Sequence, residues 1–307
     1  FIVCSPAIWA QTRGAVPGEI YFSSLIYIGN DGLSHYGIFH SSNHGQTLAI
    51  QYSNIEEQPE LMRTGIVNAD ATPGVLYNNY YYGTNELWVS FDYGVSWDYL
   101  CTNPSSGYFS GQSSGVIYNR ISAELLKSED YGSTFYTIND QISCPIDELG
   151  YYPGEFYGIN GNFGEELFLD HTYDNVNTYT EIPIDSTVAF EAPLSDLYPQ
   201  ISRGTDPGEL YLISWWGWED MYFKIFHSTD SGYTWTQKFE SEFINITDYW
   251  RFSYTAGRQP GSFYVSRFKI LSPTDFQVLV YIDYSDDYGE TFTTYFHDLA
   301  TIVGFKP

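Results

Sequence analysis

Residues 228–235 read STDSGYTW, and the pattern Ser-x-Asp-x-Gly-x-Thr-Trp returns as SSNHGQTL at 41, SFDYGVSW at 90, SEDYGSTF at 128 and SDDYGETF at 285. The gap between 128 and 228 is twice too long. Midway through it lies TYDNVNTY at 172, which keeps the Asp, the second Thr and the terminal aromatic but has Val176 in the glycine place. Counted as a decayed sixth copy, it restores the spacing.

A second motif runs in step with the first: PGEIY at 17, PGVLY at 73, SGVIY at 114, PGEFY at 153, PGELY at 207 and PGSFY at 260, each 14 to 25 residues before an octet. Two independent motifs alternating six times define a repeat of roughly 50 residues, a period of propellers and solenoids. Each unit reads as four short strands; in the fifth they are YPQISRG, ELYLIS, MYFKIFHS and TWTQKFE, with Pro207-Gly208 and the octet as the turns between them. Antiparallel groups of four suit an all-β, six-bladed β-propeller, whose radial closure leaves only short protected edges. The expected blades are 1–55, 56–103, 104–142, 143–185, 186–243 and 244–307, within a single domain.

The octet has a structural reason at every position. Its Asp or Asn (Asn43, Asp92, Asp130, Asp174, Asp230, Asp287) accepts hydrogen bonds from the backbone of its own turn. Glycine two positions later takes a positive φ that costs other residues about 1–2 kcal/mol. The hydroxyls add local bonds, and the final ring buries an apolar face worth roughly 1.5–3 kcal/mol.

These octets resemble the Asp-box, or BNR, repeat, and the resemblance runs through all six units. It implies a propeller of the sialidase-like and sortilin-like architecture, with the box away from the functional face. It implies almost nothing about function, since sialidases, other glycoside hydrolases, sorting receptors and photosystem assembly factors share the box. The sialidase site, with its three arginines, Tyr/Glu pair and Asp acid, has no motif match here. The early Arg-Ile-Pro segment that usually carries its first arginine is absent.

With octets and Pro-Gly turns at one end of each blade, function is expected in the loops at the other: 78–86, 158–166, 214–220 and 265–275. Trp215, Trp216 and Trp218 crowd one hairpin beside Glu219 and Asp220, and Tyr80–Tyr82 form a weaker aromatic patch in which Tyr81 is the candidate. Exposed rings offer flat faces for sugar C–H groups, and carboxylates beside them accept hydroxyl bonds. The plainer alternative is that these rings pack between blades. Arg63, Arg120, Arg251 and Arg267 map to the same end, where they would either converge on a carboxylate ligand or pair with local acids. Arg13, Arg203 and Arg258 precede the Pro-Gly turns and belong at the octet end.

Composition narrows the classes. Twelve basic residues against 38 acidic ones give a formal charge of −26, which repels nucleic acid and anionic membranes. No run of about 18 apolar residues predicts a membrane span. Cys4, Cys101 and Cys144 are odd in number and lack metal-site spacing, so no metal or other cofactor is expected and at most one internal disulfide can form. Paired-acid glycosidase chemistry could draw on Asp147, Glu148, Glu165, Glu166, Glu219 or Asp220. No histidine stands in a recognised nucleophile motif. The expectation is a secreted or surface-displayed binding module for a glycan or protein, with a glycoside hydrolase or a scaffold component as alternatives.

Overall fold

The repeat predicts four strands per unit, and the computed structural model contains them six times over. It describes residues 10–28, 34–53, 66–82, 84–102, 107–161, 166–184, 200–216, 220–241, 244–245, 249–270 and 278–302. The first blade holds β1 (Ala10–Arg13), β2 (Ile20–Ile28), β3 (Ser34–Ser41) and β4 (Ala49–Ser53). The second holds β5 (Ile66–Ala69), β6 (Leu76–Tyr82), β7 (Thr84–Ser90) and β8 (Asp98–Thr102), and the third β9 (Gly107–Ser110), β10 (Ile117–Ile121), β11 (Glu124–Ser128) and β12 (Tyr136–Asn139). The fourth holds β13 (Glu148–Leu149), β14 (Phe156–Asn160), β15 (Leu167–Thr172) and β16 (Thr180–Ile184). The fifth holds β17 (Gln200–Arg203), β18 (Leu210–Trp216), β19 (Asp220–Ser228) and β20 (Thr236–Glu240), and the sixth β22 (Tyr249–Ala256), β23 (Phe263–Ile270), β24 (Val278–Ser285) and β25 (Thr293–Asp298), followed by the short helix α1 (Leu299–Ile302). Every sheet runs antiparallel in chain order, and β21 (Ile244–Asn245) adds to the fifth by pairing with β19.

Each octet bridges a third strand to a fourth, and the six share one bonding plan. The Ser or Thr that opens the octet donates its hydroxyl to the Asp or Asn Oδ1, at 2.8–3.0 Å in all six. That same Oδ1 accepts the backbone N–H four residues on, at 2.8–3.0 Å. The residue after the Asp or Asn is left-handed (His44, Tyr93, Tyr131, Asn175, Ser231, Tyr288; φ 58 to 63°), and so is the next. The first of the pair donates its N–H to the carbonyl of the Pro-Gly glycine: His44 to Gly18, Tyr93 to Gly74, Tyr131 to Gly115, Asn175 to Gly154, Ser231 to Gly208 and Tyr288 to Gly261. The two motifs found in sequence are therefore two halves of one end of each blade.

Six apolar clusters fill the six seams between neighbouring blades. Ile20, Phe22 and Phe39 of the first blade interlock with Phe268, Val280 and Ile282 of the last. In five seams the last residue of an octet packs on the cluster: Leu48, Trp97, Phe135, Trp235 and Phe292. The fourth blade departs from this, because Tyr179 stands 39% exposed there. In its place Val176, buried at φ 66°, packs against Tyr118, Leu125 and Phe156. The apparent decay of the sixth octet is thus an exchange, in which a β-branched residue accepts a left-handed backbone and supplies the packing the ring no longer gives.

No strand is shared between the first and last blades among the described residues; β1 packs directly beside β5 and β22. Side chains stitch the inner strands together instead. Gln11 N–H donates to Ser253 Oγ (2.9 Å), Ala69 N–H to Thr12 Oγ1 (3.4 Å), Arg203 N–H to Glu148 Oε2 (3.3 Å) and Ala256 N–H to Ser202 Oγ (3.1 Å).

At the octet end Arg13, Arg203 and Arg258 complete the closure, as their position before the Pro-Gly turns implied. Arg13 Nη1 donates to the carbonyls of Arg203 (3.0 Å), Gly204 (3.4 Å) and Gly257 (3.1 Å), so one guanidinium of the first blade holds the fifth and sixth. Arg258 Nε returns a bond to Gly14 O (2.8 Å), and Arg203 Nη1 reaches Gly150 O of the fourth blade (2.7 Å). Replacing Arg13 by Met keeps the apolar stem but leaves three inner carbonyls without this donor. It is expected to lower stability by about 2–4 kcal/mol, measured as a drop in urea midpoint; an unchanged midpoint would show that the guanidinium contributes no closure energy.

Candidate functional site

The octet end carries groups that look chemically capable, and its geometry shows how they are used. In three blades a Glu, a Tyr and a His meet. Glu19 Oε1 accepts Tyr21 Oη–H (2.7 Å) and lies 3.2 Å from His40 Nε2; Glu155 Oε1 accepts from Tyr157 (2.7 Å) with His171 at 2.9 Å; Glu209 Oε1 accepts from Tyr211 (3.0 Å) with His227 at 3.1 Å. The second oxygen of each carboxylate takes backbone N–H groups of the first-to-second turn, as Glu209 Oε2 does from Thr205 and Asp206. Burial raises the Glu209 carboxyl, but the bonds from His227, from the Asp206 and Thr205 backbone and from Tyr211 outweigh it and hold the group down at about 2. Triplicate occurrence and burial mark these sets as framework. The six octet carboxylates and amides are likewise spent inside their own turns.

The trio is written in the sequence as a correlation. Glu within the Pro-Gly motif and His immediately before the octet occur together in blades one, four and five; the other three have Val75, Val116 or Ser262 with Val89, Lys127 or Tyr284. Inspecting either motif alone misses it.

Of the residues expected to bind ligand, Arg120 and Arg267 are those whose side chains the structure describes; Arg120 Nε donates to Ser122 O at 3.4 Å, and Arg267 is paired with an acid. Its Nε and Nη2 hold Asp283 at 2.6 and 2.9 Å, and its guanidinium lies 5.2 Å from the Tyr281 ring centroid. The alternative of local pairing with an acid therefore holds at this position. Trp215 and Trp216 fall in β18, Tyr81 in β6 and Arg251 in β22, with their side chains outside the described set. Trp218, Glu219 and Arg63 lie outside the described residues, as does Cys4. Cys101 and Cys144 are free thiols, and burial pushes Cys144 up to about 11. Among the described residues no three His, Cys, Asp or Glu side chains stand together as metal ligands, and no helix is long and apolar enough to cross a membrane.

Where the fourth blade begins, two carboxyls that sequence ranked low interact electrostatically with a tyrosine it passed over. Burial raises the Asp147 carboxyl, against the bond it accepts from Ile159 N–H (2.7 Å) and the pull of Arg120. Glu148 accepts from Leu149 N–H (3.0 Å) and from Arg203 N–H. Tyr254 of β22 is pushed well up by burial and by the charges of Glu148 and Asp147, which places it within electrostatic reach of both.

Solved structures are similar to this chain. A sialidase from Trypanosoma rangeli superposes over 97% of this chain and 54% of its own, with TM-score 0.52 at 11% identity. A GH74 enzyme from Niastella koreensis matches 93% of this chain and 58% of its own (TM-score 0.46, 17% identity), and YCF48 from Cyanidioschyzon merolae 91% and 96% (TM-score 0.47, 13% identity). The chain spans little more than half the length of the two enzymes. No family model matches the sequence, and no curated protein sequence does. The class is a six-bladed β-propeller of four-stranded antiparallel blades, and at these identities the likeness defines fold alone.

Proposed function

We propose that this propeller is a non-catalytic binding or interaction module, secreted or displayed at a cell surface, that takes a glycan or protein at the end opposite the octets. The observation that carries this is the equivalence of the octet end: six turns with one bonding plan use their own polar groups internally. At the other end the sequence puts Trp215, Trp216, Trp218, Glu219, Tyr81, Arg63 and Arg251. A glycan array tests it. Saturable binding without turnover, weakened about tenfold or more in Trp216→Ala or Trp218→Ala, is the expected result.

Asp147 favours a second reading, a glycoside hydrolase, because a carboxyl raised by burial is what a general acid requires. Turnover of chromogenic glycosides, abolished by Asp147→Asn or Glu219→Gln, would establish that reading and sink the first. Neither binding nor turnover would leave a scaffold role in an extracellular assembly as the best account.

A further inference from the structure

The fourth and sixth blades have the same register but not the same charges. In the sixth, Val265 pairs with Asp283, Arg267 with Tyr281, and Asp283 with Thr294. In the fourth, Gly158 pairs with Asp170, Asn160 with Phe168, and Asp170 with Glu181. The sixth blade thus builds a filled cation site: Arg267 bonds both Asp283 oxygens and lies over Tyr281, while Thr294 Oγ1 donates to Asp283 Oδ1 at 2.6 Å. The fourth keeps the carboxylate and the ring, replaces the guanidinium with the shorter Asn160, and replaces the hydroxyl with another carboxylate.

The result is a charge deficit at one point. Asp170 is 2% exposed, and neither of its oxygens has a hydrogen-bond partner. An unpaired buried carboxylate costs several kcal/mol, which a cation seated beside it would offset. Among the described residues none bonds it. Glu181 on β16 and Asp147 on the link before β13 add negative charge beside Asp170, and the Asn160 amide opposes them without closing a hydrogen bond. Cys144 on the same link is a neutral thiol pushed up by burial and by Asp170. Arg120 of β10 acts on Asp147 and Cys144, and its Nε donates to Ser122 O at 3.4 Å. Burial, with Glu181 and Asp147, raises Asp170 to about 6. The rim around Asp170 is open although its own oxygens are covered: Glu181 is exposed, Asn160 and Phe168 are only half-buried, and at the equivalent position the Arg267 side chain is 21% exposed.

We propose that Asp170, Glu181 and the face of Phe168 bind a guanidinium or alkylammonium group of a ligand, in the place that Arg267 fills in the sixth blade. The strongly acidic chain would gather such ligands, and the carboxylate pair and ring would orient them by bidentate and cation–π contacts.

The test uses the whole chain and a short end-capped peptide whose single charge is one arginine, with the citrulline version as control. At pH 7 the arginine peptide should raise the melting temperature saturably, and citrulline should not. Binding should weaken roughly ten- to hundredfold in Asp170→Asn and fade as pH falls from about 7 to 5 and Asp170 takes a proton. Asn160→Arg should fill the site from within, raising the melting temperature without ligand and abolishing the peptide effect, so the proposal stays testable if Asp170→Asn folds poorly. A lysine peptide that works equally well supports an alkylammonium site. Trp216→Ala should leave all of this unchanged, which separates the site from the one proposed above. Absence of saturable stabilisation, wild-type binding in Asn160→Arg, or a response to calcium chloride in place of the peptide would overturn it.

Discussion

Gly232→Ala is expected to destabilise the propeller by about 2–5 kcal/mol, combining a left-handed backbone penalty of about 1–2 kcal/mol with overpacking of about 1–3 kcal/mol. Gly232 holds φ +88°, and a methyl group there would sit 2.2 Å from Leu169 Cδ2 of the preceding blade. Leu169 is fully buried in the cluster between the fourth and fifth blades, so it has little room to retreat. Urea denaturation should show a lower midpoint with an unchanged slope. A loss below about 0.5 kcal/mol would mean that this seam yields. Val176 shows why the penalty is local: at the matching place in the fourth blade the extra side chain meets a cluster built to receive it.

The second large effect concerns acid. Glu209→Gln should cost about 2–4 kcal/mol at pH 7, because an amide must turn a donor toward N–H and O–H groups that all donate to the carboxylate. The native carboxyl lies below its unfolded value of about 4.3, so its contribution is complete above that pH and is lost as pH falls toward about 2. Glu19 and Glu155 are lowered in the same sense, each raised by burial and lowered further by its His, Tyr and turn N–H bonds. Wild-type stability should therefore decline between about pH 5 and 2, and the gap between wild type and Glu209→Gln should close over that range. A gap that persists unchanged at pH 2.5 would show that shape, and not charge, sets the cost. Asp170 titrates with the opposite sign: protonation through about pH 6 relieves its burial, so the comparison belongs below pH 5.

The architecture was legible because turn chemistry is local. Octet and Pro-Gly motif each fix their own backbone within a few residues, and six copies in alternation leave one arrangement of strands. Even the copy with Val176 was recognisable, since its Asp174 keeps every bond the turn needs from that residue. What the motifs could not convey was pairing at a distance. The Glu209–His227 contact joins residues 18 apart, Arg13 reaches residues 190 to 244 positions away, and the deficit at Asp170 shows only when β14 and β15 are laid in register over β23 and β24. The proposed ring-stacking site is legible only as composition: three tryptophans and an acid close in sequence state a chemistry, and orientation comes from contacts that sequence does not convey.

The seam between the first and sixth blades also sets a timetable for synthesis. Ile20, Phe22 and Phe39 are made some 230 residues before their partners Phe268, Val280 and Ile282. Until then the first blade presents a bare apolar flank, and each newly finished blade presents another. Closure must wait for the sixth blade, so that flank is the longest-exposed apolar surface of the nascent ring.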